Sequence, residues 1–317
     1  MTRQEKAANV VVNKCLDIKK EESVLILATE PLMDIAQQLY RTSAKRTKST
    51  FLLQISHINP SLDINRALVK MMKEMNVIVA ITSPSISHTD ALRQACRAGV
   101  RIASMPDISM NTFCRIADSN FEKTSRRSKK IADILSMAKE ARVTAPNGTE
   151  MTISIKKRKG FSDTGLINTP GAFSNLPAGE ASISPADGMC QGLFVVDSGM
   201  GVNPNGEDQI SISIKDGRAH RISGGPMARK VSQQLSRFGP ESRIIAEFGI
   251  GVNDAAQISG FSLEDKKALG TINIALGNNT LIGGTNAIPV RFDAVAYKAS
   301  VEIDGKVILQ KGKLMLD

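Results

Sequence analysis

The chain has 317 residues, enough for one large domain or two ordinary ones, and its 42% hydrophobic and 23% charged residues are ordinary globular composition. Aromatics are only 4% with no Trp, which argues against base-stacking nucleic-acid platforms. The formal net charge of +10 sits largely in helical-looking runs such as Lys45 to Lys48 and Arg126 to Lys130. These read as solvated helix faces, and no nucleic-acid motif accompanies them.

The N-terminal segment, MTRQEKAANVVVNKCLDIKKEESV, is polar and helical, without the apolar core of a signal peptide. From there to about Ala145 strands and helices alternate. SVLILAT (Ser23 to Thr29) reads as a continuous apolar strand. MDIAQQLYRTSAK (Met33 to Lys45) follows with helical spacing, and STFLLQIS (Ser49 to Ser56) is the next strand. NRALVKMMKEM (Asn65 to Met75) is a helix and NVIVAITS (Asn76 to Ser83) a third strand. TDALRQACRAG is a helix closed by Gly99, and VRIASMP a short fourth strand. This order predicts a parallel sheet with helices on its faces, a Rossmann-like α/β domain over residues 1–145. Ligands of such sheets sit beyond the carboxyl ends of the strands, which points at the loops ATEPLM, SPSISHT and SMPDIS.

From about Pro146 the texture changes. Gly, Pro, Asn and Ser become frequent, and short alternating strands appear: MTISIKK, GLFVVDS, QISISIKDG, TINIALG and VEIDGKVIL. Residues 146–317 are therefore expected to form a β-rich α+β domain, with PMARKVSQQLSRF (Pro226 to Phe238) its clearest helix. The boundary is placed near Arg142 to Asn147. Cys15, Cys96, Cys114 and Cys190 are far apart, without zinc spacing, and read as reduced thiols. No apolar run approaches the roughly 18 residues of a membrane span. A cytoplasmic location is expected, with no membrane and no specific nucleic-acid partner.

Three acidic residues have unusual neighbours. Glu180 lies in the turn-rich NLPAGEASISP, Glu247 in the apolar RIIAEFGIG, and Asp293 in IPVRFDAV beside Arg291. A carboxylate inside an apolar strand costs several kcal/mol unless it is paired, hydrogen-bonded or coordinated. An edge-strand residue facing water is the plain alternative for any one of them. Of the three histidines, His88 lies just past a strand end at the opening of a helix, where α/β sheets keep working residues. His57 is a weaker candidate, and His220 reads as surface. The glycine runs GIGVN and NNTLIGGTN lack the strand-to-helix setting of a phosphate loop or dinucleotide fingerprint. Cys190 has no histidine beside it.

NLPAGEASISPADG, AEFGIGVNDAAQISG, EDKKALGTINIALGNN and IPVRFDAV, in this order, resemble the thermophilic metalloaminopeptidase family, the aminopeptidase T or leucyl-aminopeptidase-like metallohydrolases. SHTDALRQACRAGVRIASMP resembles the subgroup that includes 2,5-dihydroxypyridine 5,6-dioxygenase, a non-haem iron enzyme. The resemblance covers nearly the whole chain. It implies an N-terminal α/β domain and a C-terminal β-rich domain holding a metal site, with at least a dimeric assembly. Glu180 and Glu247 match the family's glutamate ligands and Asp293 its aspartate. Its two histidines are replaced by Asn273 and Arg291, and the tyrosine of the aminopeptidases has no match, Thr280 standing near its place. The glycine after SMP is Asp107.

Asn offers metal one neutral oxygen, and Arg offers none because it stays protonated. On that reasoning no cofactor is expected, with a single divalent cation on Glu180, Glu247 and Asp293 as the alternative. Arg291 is expected to supply positive charge among the three carboxylates and to anchor substrate together with Asn273. His88, Glu180 and Glu247 are the expected acid/base residues. The function expected is an enzyme of hydrolase lineage, with a remodelled site, acting on a small polar or anionic molecule by acid/base chemistry. A metal-dependent aminopeptidase with weakened metal binding and a non-catalytic binding protein are the competing readings.

Overall fold

The computed structural model describes residues 1–55, 65–87, 89–202 and 209–316. By packing, the chain groups into two compact units, one of residues 1–122 and 164–178, the other of residues 123–163 and 179–317. The change of sequence texture near Arg142 falls inside the second unit.

The first unit holds a five-stranded, all-parallel sheet. Its strand order is Ser49–Ile55, Ser23–Thr29, Val77–Ile81, Arg101–Ser104, Phe173–Asn175. SVLILAT is apolar throughout because both of its faces are covered. Val24, Ile26 and Ala28 pack with Val11, Val12, Ile35 and Leu39, while Leu25 and Leu27 pack with Met72, Leu92 and Ala95. Helix Asp90–Arg97 stops as expected before Gly99, whose φ of +94° suits the residue that ends a helix. The fifth strand comes from the Gly- and Pro-rich stretch after residue 163. It has three residues, too few to show a period.

The second unit holds two antiparallel sheets, one of eight strands and one of six. Side chains of both enter one core, Met151, Ile153, Phe194 and Ile212 from the larger sheet and Ile183, Phe248, Ile274 and Ala294 from the smaller. Helices Phe121–Met137 and Pro226–Ser236 add Ile131, Leu135, Val231 and Leu235 to it. The fold is thus α/β with a parallel sheet, followed by a β-rich part, as the alternation of elements predicts.

The smaller sheet positions the site. Its order is Ser198–Gly199, Arg291–Ala296, Ile272–Gly277, Ile245–Gly251, Glu180–Ile183, Gly160–Asp163. Strand residues alternate between faces, so cross-strand register identifies neighbours. Asn273 is opposite Gly249 and Val295, Ala275 is opposite Glu247 and Asp293, Gly277 is opposite Arg291, and Glu180 is opposite Gly251 and Asp163. One face therefore carries Ala181, Ile183, Phe248, Ile250, Ile272, Ile274, Leu276 and Ala294 into the core. The opposite face collects Asp163, Glu180, Glu247, Asn273, Arg291 and Asp293, with glycines between them. The alternations in AEFGIG, INIALG and RFDAVA are this division written along the chain.

Candidate active site

The polar face of the smaller sheet is buried rather than solvated. Glu180 is 3% exposed, Glu247 5% and Asn273 0%. Burial at that level demands partners. Two come from the EDKK segment, whose lysines the sequence reading gave no role, at the end of the short helix Ser262–Asp265 and just after it. Gly251 lets this segment lie on the sheet. A Cβ there would stand 2.2 Å from the Ala268 carbonyl oxygen and 2.6 Å from Thr271 Oγ1, so only glycine admits so close an approach. Asp265 anchors the same segment. It accepts hydrogen bonds from the Ser259 amide at 2.7 Å, the Gly260 amide at 3.1 Å and the Tyr297 hydroxyl at 3.1 Å.

Lys267 and Lys266 are thereby held at the carboxylates. Lys267 Nζ lies 2.5 Å from Glu180 Oε2 and 2.6 Å from Asp163 Oδ2, with its side chain 1% exposed. Lys266 Nζ lies 3.4 Å from Asp293 Oδ1. Arg291 Nη2 is 2.9 Å from Glu247 Oε2 and 3.0 Å from Asp293 Oδ1, and its Nη1 donates to the Asn278 carbonyl at 3.1 Å. Asn273 Nδ2 donates to Glu247 Oε1 at 3.3 Å. The structure thus brings together five of the six residues singled out from sequence. It divides the work of pairing, however. Arg291 serves Glu247 and Asp293, while Glu180 belongs to Lys267.

The charges follow from these contacts. Burial would raise both glutamates. At Glu247 the Arg291 guanidinium and the Lys266 ammonium outweigh burial and hold the carboxyl at about 2. At Glu180 burial wins over Lys267 and Lys266, and the neighbouring Glu247 charge adds to the rise, so this carboxyl sits above its usual range. Burial disfavours charge on Lys267 as well, but Asp163 and Glu180 push it above the ordinary lysine value. The face opens toward solvent at Asp293, whose side chain is 24% exposed.

In the first unit the expected loops do converge at the carboxyl ends of the parallel strands. The Ser83 amide donates to Thr29 Oγ1 at 2.9 Å, Ser83 Oγ donates to Asp107 Oδ1, and the Ser87 and Ser104 hydroxyls are 2.7 Å apart. Asp107, in the place of the family's glycine, has a φ of +53°. It takes the left-handed conformation that glycine favours and Asp tolerates, so the substitution does not by itself change the turn. His88 and His57 lie outside the described residues.

Lys266, Lys267 and Asp163 were missed by sequence reasoning. A charged run such as EDKK reads as solvated surface, yet Glu264, Asp265, Lys266 and Lys267 are all buried. The one available signal was position, since EDKK leads directly into the strand that carries Asn273.

Comparison with known proteins agrees with this architecture and corrects the function. The model of the 2,5-dihydroxypyridine 5,6-dioxygenase family matches residues 8–316. The structure of 2,5-dihydroxypyridine dioxygenase from Pseudomonas putida KT2440 superposes with a TM-score of 0.82 at 18% identity, covering 99% of this chain and 97% of that one. Wild-type AmpT from Thermus thermophilus gives 0.72 at 14% identity, covering 99% of each chain. At these identities the likenesses show a shared fold. No curated protein sequence is detectably similar to this chain. No helix among the described residues is long and apolar enough to cross a membrane.

Three expectations are overturned by the family match. The hydrolase lineage gives way to a dioxygenase family, an oxidoreductase class. Acid/base chemistry of an aminopeptidase-like site gives way to oxygenation with it. The expectation of no cofactor falls too, because the family implies iron, and the alternative of a divalent cation is the one that accords with it. The reason is that one fold serves both, since the dioxygenase and AmpT structures each superpose over 99% of this chain, so fold-bearing motifs do not separate the two chemistries. The donor set still does not fit an iron centre of the two-histidine, one-carboxylate kind. Asn273 and Arg291 stand where the sequence resemblance implies the family's histidines, and the carboxylates are engaged by Lys266, Lys267 and Arg291. Among the described residues no three His, Cys, Asp or Glu side chains are grouped to hold a metal ion. That disagreement concerns two positions, whereas the family match spans nearly the entire sequence: the chain belongs to the 2,5-dihydroxypyridine 5,6-dioxygenase family.

Proposed function

We propose that this protein is a dioxygenase acting on a small hydroxylated, nitrogen-containing aromatic ring of the dihydroxypyridine class. The observation that carries the reading is the buried polar face of the six-stranded sheet, within a chain that matches the dioxygenase family over residues 8–316. A ring becomes reactive toward O2 as it becomes electron-rich, which for a hydroxypyridine means loss of a hydroxyl proton. The negative charge that then builds on the ring oxygens needs fixed positive charge in a water-poor place. Lys266 and Arg291 provide it beside Asp293, where the face reaches solvent. Lys266 is the looser of the two, 3.4 Å from its carboxylate, and so the more ready to turn to a ligand.

The proton needs an acceptor. Glu247, held at about 2, is a weak base and serves to orient Arg291 and Asn273. His88 and Glu180 are the proposed proton acceptors, His88 on its residue type and on the sequence SPSISHTD, which follows an apolar strand-like run. Arg291 and Asn273 are the proposed substrate contacts. All four cysteines are free, which fits work in a reducing compartment such as the cytoplasm. Assembly into at least a dimer is part of the same proposal.

The test is oxygen uptake by the purified protein with 2,5-dihydroxypyridine, with Fe(II) supplied and with chelator. Expected are loss of ring absorbance and a ring-opened product carrying both atoms of labelled O2. His88→Ala and Arg291→Ala should each lower kcat/KM about 10²–10⁴-fold. Absence of uptake under both conditions, with intact fold, refutes the reading.

A further inference from the structure

The edge of a sheet is a row of unpaired backbone N–H and C=O groups, and folded chains blunt such edges with short strands or charged side chains. Among the described residues the three sheets have six edges, and five are blunted in one of these ways. Phe173–Asn175 has three residues, Lys313–Leu314 and Ser198–Gly199 two each, and Gly160–Asp163 four. Arg218–Gly224 is longer but carries Arg218, His220 and Arg221. The sixth edge, Ser49–Ile55, reads STFLLQI, seven residues with no charge, proline or glycine. Among the described residues it pairs only with Ser23–Thr29, in unbroken register. Phe51 is 46% and Leu53 36% exposed. They share one side of the sheet, because side chains alternate along a strand. Leu52, on the other side, packs on the cluster that holds Ile35 and Leu39 of helix Met33–Ser43, and Tyr40 of that helix is exposed.

We propose that this edge docks a second copy of the chain, the two Ser49–Ile55 strands running antiparallel about a twofold axis and joining two five-stranded sheets into one. A second copy is the occupant because the surface complements itself. A twofold contact meets its own surface reversed, so each feature must find its match at the opposite end. The charges do so. Glu30 and Asp34 lie at the start of helix Met33–Ser43, Arg41 and Lys45 at its end, and all four are exposed. Antiparallel docking sets the acidic end of each copy against the basic end of the other, which fixes orientation. The apolar side chains match as well. With the axis at Leu52, Phe51 of each copy stands opposite Leu53 of the other, and four apolar side chains close over the junction. The inference rests on the dimeric assembly proposed above and names its surface. It does not depend on the dioxygenase chemistry.

The test is analytical ultracentrifugation of the full-length protein and of two double variants at the edge. Phe51→Lys with Leu53→Lys, and Phe51→Glu with Leu53→Glu, each set like charges opposite one another across the axis. The parent protein should sediment as an even number of chains. Each variant should fall to half the parent mass, with the dissociation constant raised about 100-fold or more. An equimolar mixture of the two variants should regain the parent mass, because opposite charges then meet. Circular dichroism checks that the variants fold. Amide exchange on the unaltered protein decides the matter even if one does not: protection within Ser49–Ile55 should rise with protein concentration, and no rise overturns the proposal. Variants that keep the parent mass overturn the proposed surface while leaving a dimeric assembly in place. A mixture that stays at half mass overturns the antiparallel pairing. A parent protein that is monomeric at every concentration overturns the surface and the assembly together. Oxygen uptake, measured separately, tests the dioxygenase reading and is unaffected by any of these results.

Discussion

Lys267 is the residue whose removal should do most damage for least change in volume. Its ammonium bridges Asp163 and Glu180 at 2.6 and 2.5 Å, and its side chain is 1% exposed. Lys267→Met keeps the aliphatic stem and deletes the charge. Two carboxylates are then left in a water-poor place facing one another across neighbouring strands. Breaking a buried ion pair from one side costs about 3–5 kcal/mol, most of it the uncompensated charge. For a unit of roughly 150–250 residues that is a fall in Tm of about 6–20 °C. The assay is scanning calorimetry at pH 7 on Lys267→Met and on the triple variant with Asp163→Asn and Glu180→Gln. The triple variant should recover most of the loss, since it removes the two carboxylate charges that face Lys267. The pH dependence has a definite sign. The lysine's folded pKa is raised above its ordinary value of 10.5, so its stabilisation is fully present below that pH. It is lost only as pH rises through the higher folded value. The deficit of Lys267→Met should therefore persist at neutrality. If the single variant melts within about 2 °C of the parent, or the triple is no better than the single, the argument from buried charge is wrong.

Other perturbations test neighbouring parts of the site. Glu247 has its folded pKa lowered from 4.5 to about 2, so its stabilisation is present above about 4.5 and lost as pH falls toward 2. Glu247→Gln should flatten that acid limb in urea unfolding series run between pH 3 and 7, and an unchanged limb contradicts the assignment. Gly251→Ala puts a methyl group 2.2 Å from the Ala268 carbonyl oxygen and must displace the segment carrying both lysines. A loss of about 1–3 kcal/mol in chemical denaturation is expected, with weaker ring binding in titration. Arg291→His, alone and with Asn273→His, replaces a fixed cation and a neutral amide by imidazoles beside Asp293. Bound iron per chain after anaerobic loading should rise above that of the parent protein in elemental analysis. No increase in the double variant would show that Lys266 and Lys267, rather than the two lost histidines, limit metal binding.

The relation between sequence and structure differs from element to element. SVLILAT and NVIVAITS were legible as central parallel strands because burial on both faces leaves an uninterrupted apolar run. AEFGIG, INIALG and RFDAVA were legible as strands because one face is core, and the residues that broke the apolar pattern were the site itself. Glu180, Glu247, Asn273, Arg291 and Asp293 could be picked out for that reason. Lys266 and Lys267 could not. Sequence periodicity reports burial only for residues whose own chemistry prefers it, and a lysine buried between two carboxylates obeys its partners instead. The strand Phe173–Asn175 was hidden for another reason: three residues carry no period, and its pairing partner lies some seventy positions earlier in the chain.

The sequence by itself determined the order of elements, the two textures of the chain and the polar residues that interrupt the apolar strands, all of which are local patterns enforced by burial. It also carried the family, through motifs spread along its length. Only the tertiary structure decided which charges meet. Pairing depends on register between strands far apart in sequence and on the absence of a side chain at Gly251, which lets Lys266 and Lys267 reach the sheet. It likewise decided that Glu180 and Asn273 meet over Gly249, because which side chains share a buried place is a property of what surrounds a residue and not of the residue.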